Sequence, residues 1–369
     1  MFIQSCIRFR KEIIMNNGPS IESYKDKVVG YYGGKFLPFH IGHLNCIIEA
    51  ASMVDVLFVV VSYDDVYDQS LCEGTKFKWV PSSTRERWVT EAVSGLRNIR
   101  VLTKYEPRMD DYLNNDEIRK ANERLLAAIG GRVDYVFSSE EHYDDYFECY
   151  YPSSKHIVID PKRAYIDISA TEIREKGIYD SWEYLPKSIK KDYTKRVCLC
   201  GIESVGKSFL TKQLAVLYNT QYVNEYGRDF YEEIGGCFDI VRQSDFLKIA
   251  MGHNYLIEEK VKGSDKVLFI DTDNIYTQFF YLQMFGEENQ TISSIINSGV
   301  DEIDLYIYIE PSLPHELDGF RQVKTLDDKE RENQLLKDLY RKYNKDIKIV
   351  KSIKDIKEIK GLIDDLFNT

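Results

Sequence analysis

Paired cysteines and long apolar runs are both missing from this sequence of 369 residues. It has seven cysteines, but none stands in C-x-x-C spacing, so neither a zinc-ligand set nor a disulfide framework is indicated. No stretch approaches the roughly 18 apolar residues of a membrane span, and residues 1–20 lack the continuous apolar core of a signal peptide. We therefore expect a cytoplasmic protein that is not inserted in a membrane, with Met15 as an alternative start of translation.

Positively charged residues are also fewer than negatively charged ones. Lysine and arginine number 49 against 60 aspartates and glutamates, which gives a formal net charge of −11. Such a chain repels nucleic acid through its overall field, so we expect no nucleic-acid partner, whereas a local basic pocket can still bind small phosphorylated molecules. The length predicts two domains at roughly 100–200 residues each, and the 43% of apolar residues is enough for two cores.

Short apolar runs alternate with longer amphipathic stretches along the chain, which predicts βαβ units. The predicted strands are rich in Val, Ile and Phe, as is typical of parallel sheets buried on both faces. In the first half the strands are Val28–Tyr32, Val56–Tyr63, Ile99–Tyr105, Val133–Ser138 and His156–Asp160, and the helices are Leu44–Met53, Ser83–Ser94 and Asp116–Ile129. In the second half the strands are Arg196–Cys200, Gln221–Asn224, Val267–Asp271, Leu305–Ile309 and Ile347–Val350, and the helices are Lys207–Tyr218, Ser244–Lys262, Asn274–Met284 and Asp327–Tyr343.

A charged segment separates the two alternating patterns. It carries Pro186 and ends where a strong apolar strand begins. We place the domain boundary near Asp192. The predicted organisation is an N-terminal extension over residues 1–26, a first domain over residues 27–191 and a second over residues 192–369. The predicted fold class is α/β, with one doubly wound parallel sheet in each domain.

The segment GIESVGKS, from Gly201 to Ser208, matches the phosphate-binding pattern G-x-x-x-x-G-K-S. It follows the apolar run VCLC and opens an amphipathic helix, so the N–H groups of the loop can surround a phosphate at a helix N-terminus. Lys207 can reach the β- and γ-phosphates of ATP, and the Ser208 hydroxyl can bind Mg²⁺. The predicted ATP-binding residues are Gly201, Glu203, Ser204, Val205, Gly206, Lys207 and Ser208.

Acidic and basic side chains further along the chain suit phosphoryl transfer. Asp271 ends an apolar strand and is the expected second Mg²⁺ ligand. A small-molecule kinase also needs a carboxylate near the acceptor hydroxyl. Glu225 and Asp273 are the two candidates, and Asp273 can equally serve as a helix cap. Arg321, in a segment with two prolines, can neutralise the transferred phosphoryl group, with Arg228 as a weaker candidate and a solvated loop arginine as the alternative.

Two of the six histidines lie three residues apart, in the segment GGKFLPFHIGH that ends at His43. Its glycines and Pro38 predict a tight loop, and His40 lies at the start of a helix. Imidazole and free backbone N–H groups can surround a triphosphate there. A capping or core role, or half of a metal site, are the alternatives. The predicted ATP-binding residues are Gly34, Lys35, Phe36, His40 and His43.

A second segment, ISATEIR, lies more than a hundred residues later and ends at Arg174. Ser169 can cap a helix, with Glu172 completing a capping box, which is the purely structural interpretation. The same helix start also offers N–H groups and the hydroxyls of Ser169 and Thr171 to an anion, and Arg174 follows one turn later. By itself this segment indicates only a helix start.

Together, HIGH and ISATEIR resemble the paired H-x-G-H and I-S-x-T-x-x-R signature of the nucleotidyltransferase superfamily. The nicotinamide-mononucleotide adenylyltransferases of that superfamily carry both motifs. The resemblance implies that His40, His43, Ser169, Thr171 and Arg174 hold the phosphates of ATP. It also implies that the phosphate of the mononucleotide attacks in line and that pyrophosphate leaves.

The order of the two halves further resembles the NadR-type bifunctional family, which joins this adenylyltransferase to a ribosylnicotinamide kinase. The strings that carry it are GKFLPFHIGH, RERW, FSSEEHY, GIESVGKS, NEYGRDF, FIDTDN and DGFR, and it covers about Lys27 to the C-terminus. It implies that the second domain phosphorylates nicotinamide riboside and that the first converts nicotinamide mononucleotide to NAD, both with ATP and Mg²⁺. About 25 residues precede the first strand, so the DNA-binding helix-turn-helix of enterobacterial members is not expected.

Substrate contacts follow from this resemblance alone. A cationic pyridinium suits an aromatic wall with a nearby carboxylate. The predicted substrate-binding residues are Trp88, Tyr143, Tyr226, Arg228 and Asp318, with Tyr231 as a further aromatic and core packing as the alternative for each aromatic. Two other functions stay open: a similar fusion acting on another cofactor precursor, and a nucleotide-sensing regulator of transcription or riboside transport. A homo-oligomer is compatible with each of them.

Overall fold

Two parallel β-sheets organise the chain, one in each half. The computed structural model describes residues 24–107, 113, 115–236, 240–299, 302–311 and 326–368. The chain divides into two compact units, and the second starts at Lys190, where the sequence predicted a start at Asp192. Two predicted site residues, Asp318 and Arg321, lie outside the described residues. Among those described, no helix combines the length and apolar character needed to cross a membrane.

The first sheet has the strand order β3-β2-β1-β4-β5, with all neighbours parallel. Strands β1 and β2 are buried along nearly their whole length, as the continuous apolar runs predicted. Because β2 and β4 flank β1 on opposite sides, the carboxyl end of β1 is the switch point where such sheets bind ligands. The strands are β1 (Val29–Gly34), β2 (Val56–Tyr63), β3 (Ile99–Tyr105), β4 (Tyr135–Ser138) and β5 (Lys155–Val158).

Helices of the first unit follow its strands in βαβ fashion. They are α1 (Ile41–Ser52), α2 (Asp65–Ser70), α3 (Ser82–Ala92), α4 (Asp116–Ala128), α5 (Asp144–Tyr150) and α6 (Ala170–Lys176), and α7 (Lys187–Tyr193) spans the division between the units. The first unit also begins earlier than predicted. Tyr24 packs edge-on against Phe58, with ring centroids 5.7 Å apart, so this residue belongs to the folded unit and not to an extension.

The second sheet has the order β10-β9-β6-β8-β7, again all parallel. Its central strand β6 lies between β8 and β9, so its carboxyl end is the switch point of this sheet. The strands are β6 (Lys195–Cys200), β7 (Tyr222–Val223), β8 (Val267–Asp271), β9 (Leu305–Ile309) and β10 (Ile347–Val350). The helices are α8 (Lys207–Leu217), α9 (Tyr226–Glu233), α10 (Gln243–Val261), α11 (Asn274–Phe285), α12 (Gln290–Asn297), α13 (Leu326–Lys342) and α14 (Ile356–Asp364).

Five of the strands were predicted with their exact bounds, whereas the short helices were not predicted. The bounds predicted for β2, β3, β8, β9 and β10 are those observed. Strand β7 has two residues where four were predicted, and no helix was predicted for α2, α5, α9, α12 or α14. These helices have six to nine residues each, so they offer only about two turns in which a period of 3.6 can be recognised.

Candidate active sites

The histidine pair lies where β1 ends and α1 begins. His40 is the N-cap of α1, and its Nδ1 accepts a hydrogen bond from the backbone N–H of His43 at 3.3 Å. The two imidazole rings stack with centroids 3.7 Å apart. Since Nδ1 of His40 accepts, its Nε2 carries the proton and is the atom that can donate to a ligand. A Cβ atom at Gly42 would stand 2.9 Å from the His40 ring, so this position requires glycine.

Both imidazoles are neutral at physiological pH. Burial lowers the pKa of His40 to about 3, and the positive charge of Arg163 adds to this shift. Burial also holds the pKa of His43 well below its usual range, with further contributions from His40 and Arg163. Among the described residues, the buried Nδ1 of His43 has no hydrogen-bond partner. His40 therefore does cap α1, as one alternative proposed, while Nδ1 of His43 is a buried polar atom that a ligand can contact.

Arg163 is a functional candidate that the sequence analysis missed. It lies in the loop after β5, where Asp160 and Arg163 both adopt positive φ angles, 47° and 50°. The Asp160 carboxylate holds this strained turn by accepting from the N–H groups of Ala164 (2.7 Å) and Tyr165 (3.2 Å). The Arg163 guanidinium lies 3.7 Å from Glu140 and raises the electrostatic potential at both histidines. Only its place directly after an Asp-Pro-Lys turn could have signalled it.

The second motif meets the first at the same loop. Nη1 of Arg174 donates to the carbonyl oxygen of Leu37 at 2.7 Å, and Nη2 donates to Oγ1 of Thr171 at 2.9 Å. Ser169 is the N-cap of α6, and its Oγ accepts from the N–H of Glu172 at 3.1 Å. The predicted capping box is incomplete, because the Glu172 carboxylate instead pairs with Lys176. Arg174 therefore connects α6 to the loop that carries Leu37 and leads to His40.

A buried ionic cluster supports this loop from the other side. The Asp68 carboxylate accepts from Nζ of Lys35 and from Nη2 of Arg85, both at 2.7 Å. The second guanidinium nitrogen, Nη1 of Arg85, donates to the carbonyl oxygen of Lys35 at 2.7 Å. Asp68 and Arg85 are 0% exposed, whereas the Lys35 side chain is one-third exposed. The predicted ligand Lys35 is thus held in place by two residues that were not predicted.

The aromatic predictions of the first unit have mixed outcomes. Trp88 is only 1% exposed and packs in the core, so it presents no open face to a substrate in this structure. The alternative, core packing, applies to it, because α3 turns this face towards β2 and β3. Tyr143 is 42% exposed and lies against the ring of His142. Phe36 is buried and packs edge-on against His43, and Gly34 ends β1 just before it.

In the second unit, the loop after β6 has the backbone conformation of an anion-binding nest. Gly201, Ser204 and Gly206 have positive φ angles of 137°, 68° and 90°, as such nests require, and Gly206 is the N-cap residue of α8. Lys207 is buried, with Nζ donating to the carbonyl oxygen of Ile202 at 2.9 Å. Of the other predicted residues, Val205 is buried and Glu203 is exposed. Phosphate oxygens would replace the Ile202 contact.

The pair Ser208 and Asp271 fits a magnesium ion. Burial raises the pKa of Asp271, while a hydrogen bond from the Ser208 hydroxyl and the charge of Lys207 oppose this shift. In the described part of the chain, Oδ1 of Asp271 is buried without a hydrogen-bond partner. The same part holds no group of three or more His, Cys, Asp or Glu side chains suited to a metal. Mg²⁺ needs no such group, because it takes one or two protein ligands together with phosphate oxygens and water.

The two candidates for the kinase base have different surroundings. Asp273 caps α11: its Oδ1 accepts from the N–H of Tyr276 at 3.0 Å and from the hydroxyl of Tyr340 at 2.9 Å. Glu225 precedes α9 and has no capping hydrogen bond. Burial raises the pKa of Glu225, with Lys207 opposing this shift and Asp271 adding to it. Asp273 is therefore engaged in structure, and Glu225 has the environment of a catalytic carboxylate.

Glu225 lines a pocket next to α9 and α10. Tyr226, Tyr231, Phe246, Tyr276 and Phe280 supply its aromatic lining. Tyr226 and Tyr231, two of the aromatics proposed from the sequence, line this pocket, and their contact with a substrate stays a prediction. Arg228 is exposed on α9, and its charge lowers the pKa of Glu225 and of Asp271, although burial prevails in both. The pocket combines aromatic faces with a carboxylate beside the phosphate loop.

Family models match both units. One described as cytidylyltransferase-like matches residues 31–176, and one described as an AAA domain matches residues 196–358. The chain is 33% identical over 324 residues to the trifunctional NAD biosynthesis/regulator protein NadR of Salmonella typhimurium, a match that covers 87% of this chain and 78% of that protein. The Escherichia coli protein of the same name is 34% identical over 315 residues, with 84% and 76% covered.

Solved structures show the same fold. A NadR protein in complex with NR superposes with a TM-score of 0.68 at 22% identity, covering 88% of this chain and 90% of that one. A NadR protein in complex with NAD and AMP-PNP gives a TM-score of 0.67 at 22% identity, with 88% and 91% covered. The chain thus shares the tandem of two parallel-sheet units and about a third of its residues with both curated proteins, and it belongs to the NadR family.

Proposed function

We propose that the chain is a bifunctional enzyme of NAD synthesis that uses ATP in two separate sites. Its second unit transfers the γ-phosphoryl group of ATP to nicotinamide riboside, and its first unit transfers adenylate from a second ATP to the resulting nicotinamide mononucleotide. The products are NAD and pyrophosphate. The NadR proteins that it resembles are named for NAD biosynthesis and include structures with NR, NAD and AMP-PNP. The described cysteines are all free, which supports a location in the cytoplasm, where ATP is abundant.

The observation that carries the kinase half is the position of Glu225. Its carboxylate lies in an aromatic pocket next to the phosphate loop, and burial raises its pKa. A hydroxyl nucleophile needs a base close to it, and a carboxylate with a raised pKa is better matched to that task. Glu225 accepts the proton of the ribose 5′-hydroxyl as the hydroxyl oxygen attacks the γ-phosphorus, and ADP leaves.

The remaining groups of the kinase site stabilise charge. The N–H groups of the loop and Nζ of Lys207 receive phosphate oxygens. Ser208 and Asp271 would hold Mg²⁺, which neutralises charge on the β- and γ-phosphates when it is bound. The aromatic faces of the pocket, with Tyr226 among them, suit the cationic pyridinium ring of the riboside.

The adenylyltransferase half needs no base, because its nucleophile is a phosphate that is already ionised. His40 and His43 are neutral, and each can donate one hydrogen bond to the phosphate oxygens of ATP as charge builds up at the α-phosphorus. Arg163 and Lys35 add positive charge, and Arg174 keeps the loop in place through Leu37. Pyrophosphate leaves when the mononucleotide oxygen bonds to the α-phosphorus.

Product analysis tests this proposal directly. The purified chain is incubated with ATP, Mg²⁺ and nicotinamide riboside, and chromatography with mass detection follows mononucleotide and NAD. Lys207→Ala should abolish mononucleotide formation yet still convert added mononucleotide to NAD. His43→Ala should accumulate mononucleotide without NAD.

Two exposed residues provide matched controls. Lys212 lies on the same helix as Lys207, and His142 lies in the same unit as His43. Lys212→Ala and His142→Ala should retain both reactions. The assignment of two separate sites is wrong if either Lys207→Ala or His43→Ala silences both reactions in a folded protein. The choice of substrate is wrong if the unmodified chain makes neither product.

A further inference from the structure

The turn between β8 and α11 places a buried residue in an unfavourable backbone conformation. Thr272, between Asp271 and the α11 cap Asp273, has a φ of 67° and is 3% exposed. A β-branched residue avoids this left-handed region, so the turn persists only where its surroundings hold it. The conformation matters because Asp271, the proposed Mg²⁺ ligand, is the residue directly before it.

Two hydrogen bonds from other elements hold the Thr272 backbone. Its N–H donates to the carbonyl oxygen of Leu199 in β6 at 3.1 Å. Its own carbonyl oxygen is 3.1 Å from Nε2 of His253, which lies on α10 and is 3% exposed. A carbonyl oxygen can only accept, so Nε2 of His253 carries the proton and donates. His253 is the one side chain among the described hydrogen-bond partners that fixes this peptide group.

The same part of α10 also supports the acceptor pocket. A Cβ atom at Gly252 would stand 2.4 Å from the ring of Tyr226, so this ring packs directly on the helix backbone. His253 itself lines the pocket together with Glu225 and Tyr226. One turn of α10 therefore contacts the pocket on one side and the turn that carries Asp271 on the other.

We propose that His253 is a positioning residue of the kinase site, which holds the Thr272 carbonyl and thereby fixes the backbone from which Asp271 presents its carboxylate to Mg²⁺. The inference rests on the proposed function only in taking Asp271 as the metal ligand. Loss of the hydrogen bond lets the strained peptide group rotate and displaces the carboxylate. The expected consequence is a smaller gain in nucleotide affinity on addition of Mg²⁺, with metal-free affinity unchanged.

Three substitutions separate this role from packing. His253→Gln places an amide nitrogen at about the position of Nε2 and retains the donor. His253→Met fills a similar volume without a donor. His253→Asn carries its amide nitrogen near the position of Nδ1, too short to reach the Thr272 carbonyl oxygen. Met251→Ala, at an exposed position of the same helix, is the control.

Isothermal titration calorimetry with AMP-PNP, with and without Mg²⁺, gives the decisive readout for the second unit once the binding that persists in Lys207→Ala, which belongs to the first unit, is subtracted. In His253→Met and His253→Asn the Mg²⁺-dependent gain in affinity should fall about fivefold, the effect of one hydrogen bond. In His253→Gln and Met251→Ala it should stay within about twofold of the unmodified chain. An unchanged gain in His253→Asn, or an equal loss in His253→Gln, overturns the proposal.

The measurement does not depend on the riboside. If the unmodified chain binds MgAMP-PNP but does not phosphorylate nicotinamide riboside, the proposed substrate is wrong while the role of His253 is still decided. Thermal unfolding followed by calorimetry reports whether the second unit, which contains His253, is folded in each variant. Should His253→Met fail to fold, the comparison of His253→Gln with His253→Asn decides by itself.

Discussion

Replacement of Asp68 should destabilise the first unit and disable adenylylation while leaving the kinase reaction intact. The Asp68 carboxylate lies between Nζ of Lys35 and Nη2 of Arg85, at 2.7 Å from each. Asp68→Asn removes its negative charge but keeps nearly the same shape. The two cations then respond differently, because Arg85 is completely buried and Lys35 is one-third exposed.

The size of the effect follows from this difference. Lys35 can turn towards water, so its part of the loss is small, as for surface ion pairs. Arg85 is completely buried and cannot reach water, and a buried charge without its partner lowers the unfolding free energy by about 3–5 kcal/mol. Domains are stable by only about 5–15 kcal/mol in total. We therefore expect Asp68→Asn to lower the unfolding free energy of the first unit by a large part of its stability.

Adenylylation should fall for a second reason. Nη1 of Arg85 also holds the carbonyl oxygen of Lys35, in the loop that leads to His40. An Arg85 side chain without its partner no longer fixes this loop, so kcat for NAD formation should fall more than tenfold, the equivalent of about 1.4 kcal/mol. Kinase activity, located in the other unit, should stay unchanged.

Thermal unfolding followed by calorimetry, together with both activity assays, checks these expectations. Asp65→Asn changes an exposed carboxylate on the same helix and is the matched control. Combining Asp68→Asn with Arg85→Met should restore part of the lost stability, because the double variant has no unpaired buried guanidinium. The reasoning is refuted if Asp68→Asn melts like the unmodified chain, or if the added Arg85→Met lowers stability further.

Three further predictions concern single positions. Glu225→Gln should abolish kinase turnover yet raise the melting temperature of the second unit. Burial raises the folded pKa of Glu225, so its ionised form lowers the stability of the folded unit. This loss of stability disappears as the pH falls through the folded pKa. The kinase rate of the unmodified chain should accordingly titrate with an apparent pKa above that of an ordinary glutamate. Gly201→Ala should weaken ATP binding at the second unit more than tenfold in calorimetric titration, because its Cβ would lie 2.6 Å from the carbonyl oxygen of Ile309. The folded pKa of His40 is about 3, below its ordinary value of 6.5, so the first unit should lose stability as the pH falls from about 6.5 towards 3. Chemical denaturation measures the unfolding free energy at pH 7 and at pH 5. The difference between the two values should be smaller in His40→Gln than in the unmodified chain.

The sequence was most informative where a feature is local. The phosphate loop from Gly201 to Ser208 is a contiguous motif whose glycines, lysine and serine each have a fixed task, and its positive φ angles at Gly201 and Gly206 are those the motif needs. Strands such as Val56–Tyr63 could be predicted because an unbroken apolar run is itself the signature of a buried parallel strand.

Features that depend on contacts between distant segments could not be predicted. Asp68 and Arg85 lie on different helices, and nothing in DVYDQS or RERW indicates that they form one cluster with Lys35. His253 is similar, because its partner Thr272 is far along the chain and its own helix has no polar motif. The burial of Trp88 also depends on such contacts, because α3 must pack on its sheet before this ring is covered, and its contact with a substrate stays a prediction.

The contrast between the two sites follows from the nucleophile that each one receives. Both lie at the carboxyl end of a central strand, β1 or β6, so the fold by itself does not distinguish them. On the proposed function, the first site surrounds its phosphates with neutral imidazoles and arginine, and the buried carboxylate of Asp68 that supports its loop is already paired with two cations. A carboxylate free to act there would repel an attacking phosphate. In the proposed second site Glu225 is the base that a hydroxyl nucleophile needs, and the charge of Lys207 opposes the effect of burial on its pKa. A free carboxylate placed in the first site, or the loss of Glu225 from the second, should therefore disable the reaction of that site, even though its loop could still bind ATP.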